Sequence, residues 1–530
     1  MVDNYGSSIE NIDWIIISFY ISSLLIIGLI YSRRSNKVEE FFLASRDTGW
    51  ISIGLSLFGS NMSSTAIIGM SGAAYIFGIS IYNYEWSAVP IIVFFCIFLI
   101  PFILRSRVYT MPEYLELRYG VPTRVYFLFL TLFLTVFVDA TAVLYCSALV
   151  VEKLFPNIPL VLIAGLLACA AGLFTLSGGL RAVIGVQAVQ AIVFLIGATL
   201  ISVTAFYRLG GWSAVMRGAD QRLLHLIRPI DDPGVPWPGL LTGIPLLGFY
   251  FWCMNQYMVQ RVLSARSIYH GRVGVLLAGL LKLLVLFLMI FPGICAAQLI
   301  PHLERADMVY PTLLVTLLPP GLTGLVVASF FAAAMVSIAS TLHTASTLIT
   351  MDLGRLLVPQ ASSERLTQVG RIATVFIVIT AVTTAPQLLK IQSLWQYLQG
   401  VLAYATPPIV ALFLVGMFWR GANSRGADVM LGLGTVASLI LFYYNVIHKM
   451  IHLHFLYVAV CLFVFDAAIL IGVSMAFRKP DNSKIDALVW TPHYFVNESK
   501  ELSTQPLWKN YRLLSAALLI LTAGVVLRFW

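Results

Sequence analysis

Residues 49–74 read GWISIGLSLFGSNMSSTAIIGMSGAA, an apolar stretch that is interrupted near its centre by Gly59, Ser60 and Asn61. The stretch is long enough to cross a bilayer, because about 20 helical residues at a rise of roughly 1.5 Å cover the hydrocarbon core. Irregular backbone is tolerated at that depth only where it faces protein or a water-filled cavity. We therefore predict a membrane-spanning segment that is broken near its middle.

Apolar runs of similar length recur along the whole chain, which is 59% hydrophobic and only 11% charged over 530 residues. These runs are continuous, whereas barrel strands would alternate over about ten residues, so we predict an all-α polytopic membrane protein with about fourteen transmembrane helices. The predicted spans, whose ordinal numbers are kept below, are 13–31, 49–74, 79–104, 121–152, 158–178, 182–208, 239–260, 273–300, 320–350, 366–386, 393–418, 427–446, 450–476 and 510–529. We expect a single membrane domain, 1–530, with a flanking helix at 13–31, a core at 49–418 and additional helices at 427–529.

The basic residues predict the orientation of these spans. If the chain starts outside, 23 of its 33 Lys and Arg residues lie on inward loops, nine lie on the outward side, and Lys282 lies within a span. Cytoplasmic loops carry such an excess, so we expect both termini outside a plasma (cell inner) membrane. The net charge of +9 is thereby explained by topology, and no nucleic-acid partner is implied.

A second interruption is predicted in the seventh span, at Gly248, with Pro236, Pro238 and Pro245 preceding it. Five spans separate it from the break in 49–74, so the two breaks occupy corresponding positions in two five-helix halves. Paired broken helices are typical of inverted-repeat transporters, whose substrate site lies near the membrane midplane.

Five side chains unsuited to lipid occur in five different spans. They are Asn61, Glu85, Trp252, Lys282 and Gln399. Helical rise places all five roughly 9 to 20 Å into the membrane, so one vestibule can hold them. Carboxylate, ammonium and amides beside an indole face suit a neutral polyhydroxylated ligand. The alternative is purely structural, with Lys282 neutralised by Glu85 or by Asp139.

Other function classes find little support in the sequence. The longest loops, about 209–238 and 477–509, are too short for a soluble catalytic domain and contain no nucleotide-binding or nucleophile-elbow pattern. We therefore expect no enzyme activity and no cofactor, apart from Na+ as a possible coupling ion. The expected partners are a small sugar or polyol, Na+ and the lipid bilayer.

The chain resembles the sodium/solute symporters, and within them the sodium/glucose cotransporter branch, over roughly residues 38 to 425. The motifs that carry the resemblance are Ser56-Leu57-Phe58-Gly59-Ser60-Asn61, Ile68-Gly69-Met70-Ser71-Gly72, Tyr84-Glu85-Trp86, Thr110-Met111-Pro112-Glu113-Tyr114, Ser177-Gly178-Gly179-Leu180, Gln260-Arg261 and Thr350-Met351-Asp352. The resemblance implies a five-plus-five inverted repeat, formed by the second to eleventh spans, that works by alternating access.

The resemblance also implies roles for individual residues. The sugar contacts fall on Asn61, Glu85, Lys282 and Gln399, with Trp252 beside the ring. The outer gate falls on Met70, Tyr84 and Trp395, and the inner-gate position on Phe251. The chain departs from the family at Ala66, Gly248 and Phe251, where the family has Gln or His, Asn or Thr, and Tyr.

The sodium ligands implied by the resemblance are Gly59, Met62, Ala333 and Ser337. The family's second hydroxyl is replaced by Val336, and the acid of the sixth span is replaced by Gln187. A hard cation needs several oxygen ligands, so each replacement removes affinity unless water or Ser340 substitutes. The ninth span carries a polar stripe at helical spacing, formed by Ala333, Ser337, Ser340, Thr341 and Thr344. The alternative explanation of this stripe is that its hydroxyls bond to carbonyls of their own helix.

Three hypotheses follow. The first is a secondary active transporter of a sugar or polyol coupled to Na+. The second is a sodium-independent or proton-coupled transporter of the same substrates, which Val336 and Gln187 favour. The third is a sugar-gated membrane sensor. Sodium-dependent uptake distinguishes them, since only the first concentrates substrate at the expense of a sodium gradient.

Overall fold

The computed structural model describes residues 10–32, 43–154, 160–354, 358, 363–390, 393–477 and 488–530. Regular structure in these ranges is helical, and the only β contacts are the isolated bridges Thr48–Ala265 and Arg228–Pro236. The prediction of an all-α membrane protein is confirmed.

Nine helical segments of the described residues, such as Ser64–Ser106, are long and apolar enough to cross a membrane. The number rises to ten if the pair Leu394–Ala405 and Pro407–Phe418, which is bent by 54°, is counted as one span. The predicted number of fourteen is therefore not confirmed. The helices that cover the predicted spans are Asn11–Ser32, Trp50–Asn61, Ser64–Phe77, Ala88–Phe94, Ile100–Ser106, Val121–Phe133, Thr141–Leu154, Leu160–Arg208, Trp237–Phe249, Gln256–Leu263, Ile268–Lys282, Phe291–Leu299, Leu322–Thr347, Ser363–Thr384, Leu394–Ala405, Pro407–Phe418, Ser424–Phe442, Phe455–Ala476 and Tyr511–Arg528.

Several shorter elements escaped the sequence analysis. Four are the helices Met111–Tyr119, Trp212–Gly218, Val309–Leu317 and Pro492–Ser503. Six are π-helical segments within the spans, at Phe95–Leu99, Leu134–Ala140, Tyr250–Met254, Leu286–Ile290, Leu348–Gly354 and Tyr443–Ile447. Such segments frequently occur at functional sites, and two of them contain Asp139 and Trp252.

Both of the spans that we predicted to be broken are broken, but each break lies further along the chain than expected. The second span remains helical through Asn61 and breaks at Met62 and Ser63, where the Ser63 hydroxyl accepts from Ala66 N at 3.3 Å. The seventh span passes through Gly248 without a break and is interrupted at Asn255, whose Oδ1 accepts from Tyr257 N at 2.9 Å. The prediction of a break at Gly248 is wrong.

Gly248 instead allows a close helix contact. A Cβ at this position would lie 2.5 Å from Ile91 Cδ1 of the third span. Small residues bring membrane helices together in this way, whereas Asn255 breaks the helix because its amide caps the next one.

The fifth and sixth predicted spans, 158–178 and 182–208, form one continuous helix, Leu160–Arg208. The gap expected between these two spans, at 179–181, is therefore wrong. Glycine costs about 1 kcal/mol in a helix but keeps its N–H donor, so it weakens a helix without ending it.

Close packing of the second and eighth spans brings two predicted site residues together. A Cβ on Gly54 would lie 2.8 Å from Gly274 O, and one on Gly274 would lie 2.7 Å from Ile53 Cγ2. The backbones of the two helices are therefore in contact at Gly54 and Gly274, before the break at Met62. This approach aligns Lys282, at the end of its helix, with Asn61 at the end of the other.

Candidate substrate and ion sites

One cavity of about 70 Å³ is lined by all five side chains that the sequence placed in a common vestibule. Its lining residues are Asn61, Tyr84, Glu85, Ile244, Leu247, Gly248, Phe251, Trp252, Lys282, Trp395, Gln399 and Leu402. The side chains come from the second, third, seventh, eighth and eleventh predicted spans, so only the folded helix bundle brings them together.

Lys282 is the electrostatic centre of this cavity, which we call the central cavity. Its ammonium forms an ion pair with Glu85 and donates to Asn61 Oδ1 at 2.5 Å. The same ammonium lies 5.4 Å from the centroid of the Trp252 ring, within range of a cation–π interaction. Of the two candidate partners for Lys282, the structure selects Glu85, and Asp139 is not its partner.

Two amides of the cavity retain hydrogen-bonding capacity. Asn61 uses its carbonyl oxygen to bind Lys282, and its Nδ2 makes no hydrogen bond to any described residue. The Gln399 side chain, which is half-buried, is likewise without a hydrogen bond to the described part of the chain. Together they offer donors and an acceptor to a ligand, beside the flat apolar face of Trp252.

Three of the predicted gate residues, Tyr84, Phe251 and Trp395, line the central cavity, whereas Met70 lines a neighbouring cavity described below. Tyr84 and Trp395 form an edge-to-face pair with ring centroids 5.5 Å apart. Phe251 packs on Trp252 in the same manner at 5.6 Å, and Met70 is buried. These rings can exclude water from a bound ligand.

A second cavity of about 120 Å³ adjoins the central cavity and shares Asn61, Phe251, Trp395, Gln399 and Leu402 with it. We call it the lower cavity. Its volume holds several water molecules. It also contacts polar residues that the sequence analysis did not assign to the site: Ser60, Ser63, Thr65, Asp139, Tyr250, Asn255, Tyr257 and Thr341. Their signal was available, because Asn255 and Tyr257 are polar residues within the seventh predicted span.

The predicted sodium ligands Gly59, Met62, Ala333 and Ser337 are all buried. Tyr257 connects the two helices that carry them. Its hydroxyl donates to Ser60 O at 3.3 Å and interacts with the Ser337 hydroxyl. Val336, where the resemblance implies a hydroxyl, is 3% exposed and belongs to the apolar core.

Gln187 and Ser340 belong to a buried network around Arg261, and neither is a free ligand. The Arg261 guanidinium donates to Ser56 Oγ and Gln187 Oε1, each at 3.1 Å, and to Ser340 Oγ at 2.5 Å. It also donates to Tyr257 O. Ser340 therefore does not replace the missing sodium ligand in this arrangement, because its hydroxyl is occupied by a cation.

The polar stripe of the ninth span thus bonds across helices. Ser340 bonds to Arg261, and Thr344 donates to Gln260 Oε1 at 3.5 Å. The alternative, in which these two hydroxyls bond only to their own helix, does not describe the structure. The motif Gln260-Arg261 of the seventh span thus forms hydrogen bonds with the polar stripe of the ninth span.

Two further motifs meet on the side of the protein that we expect to face inward. Thr110 Oγ1 donates to Asp352 Oδ1 at 3.0 Å, and Arg124 Nε pairs with the same oxygen at 2.8 Å. Arg124 also pairs with Glu116 at 2.5 Å. These four side chains link neighbouring helices by hydrogen bonds and ion pairs, and they line neither the central nor the lower cavity.

Comparison with known proteins identifies the class. The structure superposes on a Na+-coupled sialic acid symporter, solved in a substrate-bound outward-open state, with a TM-score of 0.79 and 21% identity over 89% of this chain and 99% of that one. A nucleobase-cation-symport-1 family transporter in a closed conformation gives a TM-score of 0.53 at 14% identity, over 84% and 97% of the two chains. This chain therefore shares its overall fold with these two proteins.

The sequence gives the family. Residues 41–434 match the sodium:solute symporter family. The chain is 32% identical to the sodium/myo-inositol cotransporter of Mus musculus, over 90% of this chain and 75% of the relative. It is 32% identical to the sodium/mannose cotransporter of Bos taurus, over 92% and 90%. The chain belongs to the sodium:solute symporter family, and it is therefore a transporter and not an enzyme.

Proposed function

We propose that this protein is a secondary active transporter that couples the uptake of a sugar or polyol to Na+ by alternating access. The observation that carries the proposal is the central cavity. It joins the ion pair of Glu85 and Lys282 to the amides of Asn61 and Gln399 and to the indole of Trp252. A polyhydroxylated ring needs alternating donors and acceptors around its edge and an apolar surface beneath it, and these residues supply both.

The substrate class also follows from the relatives, which include sodium/myo-inositol and sodium/mannose cotransporters. Asn61, Glu85, Lys282 and Gln399 would bind hydroxyls, with Trp252 against the ring. Met70, Tyr84 and Trp395 would close the outer side, and Phe251 the inner side.

We place the protein in the plasma membrane with both termini outside, as the distribution of basic residues indicates. In this arrangement residues 49–418 form the repeat core of one membrane domain, and 13–31 and 427–529 are flanking helices.

Sodium would be held by Gly59, Met62, Ala333 and Ser337, all of which are buried. Val336 leaves this set one hydroxyl short, and Gln187 leaves the sixth span without an acidic residue. These two positions favour the second candidate function, a transporter of the same substrates without sodium coupling or with proton coupling.

Uptake into proteoliposomes tests the proposal. Radiolabelled myo-inositol, mannose and glucose are offered under an inward sodium gradient, with choline in place of sodium, and under an inward proton gradient. We expect accumulation above equilibrium only with sodium. Equal uptake in choline, or accumulation driven by protons alone, would support the second candidate. Sugar-evoked current without matching sugar flux would identify a sugar-gated sensor.

A further inference from the structure

Asp139 has a carboxylate at the edge of the proposed substrate pathway and no partner among the described residues. It lies in the π-helical segment Leu134–Ala140 of the fourth span and lines the lower cavity. Its carboxylate makes no hydrogen bond or ion pair with any residue in the described ranges, although it lies within electrostatic reach of the Tyr250 and Tyr257 hydroxyls. A charged group at such depth normally faces a cavity and binds something.

Two buried cations, Lys282 in the central cavity and Arg261 beside Tyr257 of the lower cavity, already have partners. Lys282 pairs with Glu85 and Asn61. Arg261 is held by the neutral acceptors Ser56, Gln187 and Ser340 and by the Tyr257 carbonyl. Neither of these two cations therefore pairs with Asp139, and no other cationic side chain of the described residues lines the lower cavity.

The surroundings of Asp139 are rich in oxygen. The lower cavity is also lined by Ser60, Asn61, Asn255, Tyr257 and Thr341, and it has room for several waters. Hard cations prefer carboxylate, carbonyl, hydroxyl and water oxygens, and one carboxylate among neutral oxygens suits a monovalent ion. A proton would need the carboxylate alone, so the additional oxygens favour a metal cation.

We propose that Asp139 is the anionic ligand of a sodium site in the lower cavity, separate from the predicted ligands Gly59, Met62, Ala333 and Ser337. The proposal rests on the proposed sodium-coupled function. It explains how a chain that has Gln187 in the sixth span and Val336 in the ninth retains a negative charge on the ion path. Because Asn61 contacts both cavities, sodium beside Asp139 would lie next to the bound substrate.

Asp466 provides a matched control. This carboxylate is fully buried within a membrane helix, Phe455–Ala476, whereas Asp139 is half-buried, and neither oxygen of Asp466 has a hydrogen-bond partner among the described residues. It faces Gly434, where a Cβ would approach its oxygen closely, and it lines neither cavity. Asp466→Asn therefore removes a buried, unpaired carboxylate away from the proposed ion path.

The experiment measures sodium binding directly on the purified full chain. Binding of ²²Na+ and the rise in melting temperature on replacing choline chloride by NaCl are compared for the wild type, Asp139→Asn, Asp139→Glu and Asp466→Asn. We expect Asp139→Asn to weaken sodium binding at least tenfold and to lose most of the sodium-induced rise. Asp139→Glu should retain part of the binding, and Asp466→Asn should behave as the wild type.

The outcomes separate this inference from the proposed function. If the wild type does not bind sodium, sodium coupling itself fails. If the wild type binds sodium and Asp139→Asn binds it equally well, only the Asp139 site is refuted. An equal loss in Asp139→Asn and Asp466→Asn would show a general effect of removing buried carboxylates and would also refute the site. Proton-driven uptake that Asp139→Asn abolishes, without a change in sodium binding, would assign the carboxylate to a proton and overturn the sodium assignment.

Discussion

Lys282 and Glu85 form an ion pair in which the two side chains are only 1% and 2% exposed. The desolvation of two charges is costly, and their attraction offsets that cost only if the remaining hydrogen-bonding positions are also satisfied. Asn61 Oδ1 satisfies one proton of Lys282. The pair is therefore a structural element that also forms part of the wall of the central cavity, since both residues line it.

The first prediction concerns this pair. Lys282→Ala should destabilise the protein by about 3–5 kcal/mol, because it leaves Glu85 buried and unpaired. The double variant Glu85→Gln, Lys282→Ala should recover part of that loss, since the unpaired charge is gone. Thermal unfolding of the single and double variants measures the coupling. Additive effects of the two substitutions would show that the pair does not stabilise the fold.

Substrate recognition gives the second prediction. Gln399→Ala should weaken substrate binding about ten- to a hundredfold, because a ligand hydroxyl would lose its partner at a cost of about 1–3 kcal/mol. Gln396→Ala is the control on the same helix. The Gln396 side chain donates to Pro233 O at 3.0 Å and lines a different cavity. Isothermal titration of the transported sugar should separate the two variants, and equal affinities would exclude Gln399 from the site.

The third prediction concerns the missing hydroxyl of the ninth span. Val336→Ser should lower the half-saturating sodium concentration about fivefold, since one added oxygen ligand is worth about 1 kcal/mol. Val336→Ala removes the same isopropyl group without adding oxygen. Sodium-activation curves for uptake by the two variants should therefore differ. Identical curves would place the sodium ion away from position 336.

Acid sensitivity of the helix Pro492–Ser503 gives the fourth prediction. Burial acts to raise the pKa of Glu498, but the guanidinium of Arg272 at 2.5 Å, the Tyr511 hydroxyl and Arg512 outweigh it and lower that pKa. The ionised Glu498 therefore stabilises the folded protein. This contribution is complete above the pKa of Glu in the unfolded chain, about 4.3, and is lost as the pH falls through the lower pKa of Glu498 in the folded protein.

Glu498→Gln should accordingly melt at a lower temperature than the wild type at pH 7, and the difference should shrink below about pH 4. Glu501→Gln, on the exposed part of the same helix, should melt as the wild type does. Melting curves between pH 3 and 8 measure both. A difference that persisted unchanged at pH 3 would mean that the charge of Glu498 contributes nothing.

Much of the architecture follows from local sequence. Long apolar runs specify helices because backbone groups in lipid must bond within their own segment. The break at Met62 was anticipated within a few residues, whereas the break of the seventh span was expected at Gly248 and lies at Asn255. A polar side chain in a membrane span competes with the helix for hydrogen bonds, so Asn255 was the better signal. The continuous helix through Gly178 and Gly179 was not anticipated, because glycine weakens a helix and the surrounding bundle decides whether it ends.

The composition of the central cavity could also be read from the chain, because a charge or amide within a membrane span is costly wherever it lies. Sequence alone left Glu85 and Asp139 as equal candidates to pair with Lys282. The packing of the second span on the eighth and the position of the third decided for Glu85. Distances between spans are set by side-chain contacts over the whole bundle, and no local pattern contains them.

The sequence by itself thus determined that this chain crosses a membrane many times, which polar residues it must shelter, and to which family it is similar. The tertiary structure decided how those residues are used. Gln187 and Ser340 are bound to Arg261, and Asp139 faces a cavity alone. The physical reason is that the cost of burying a polar group depends on the residue type, whereas the partner that offsets this cost depends on which helices come into contact.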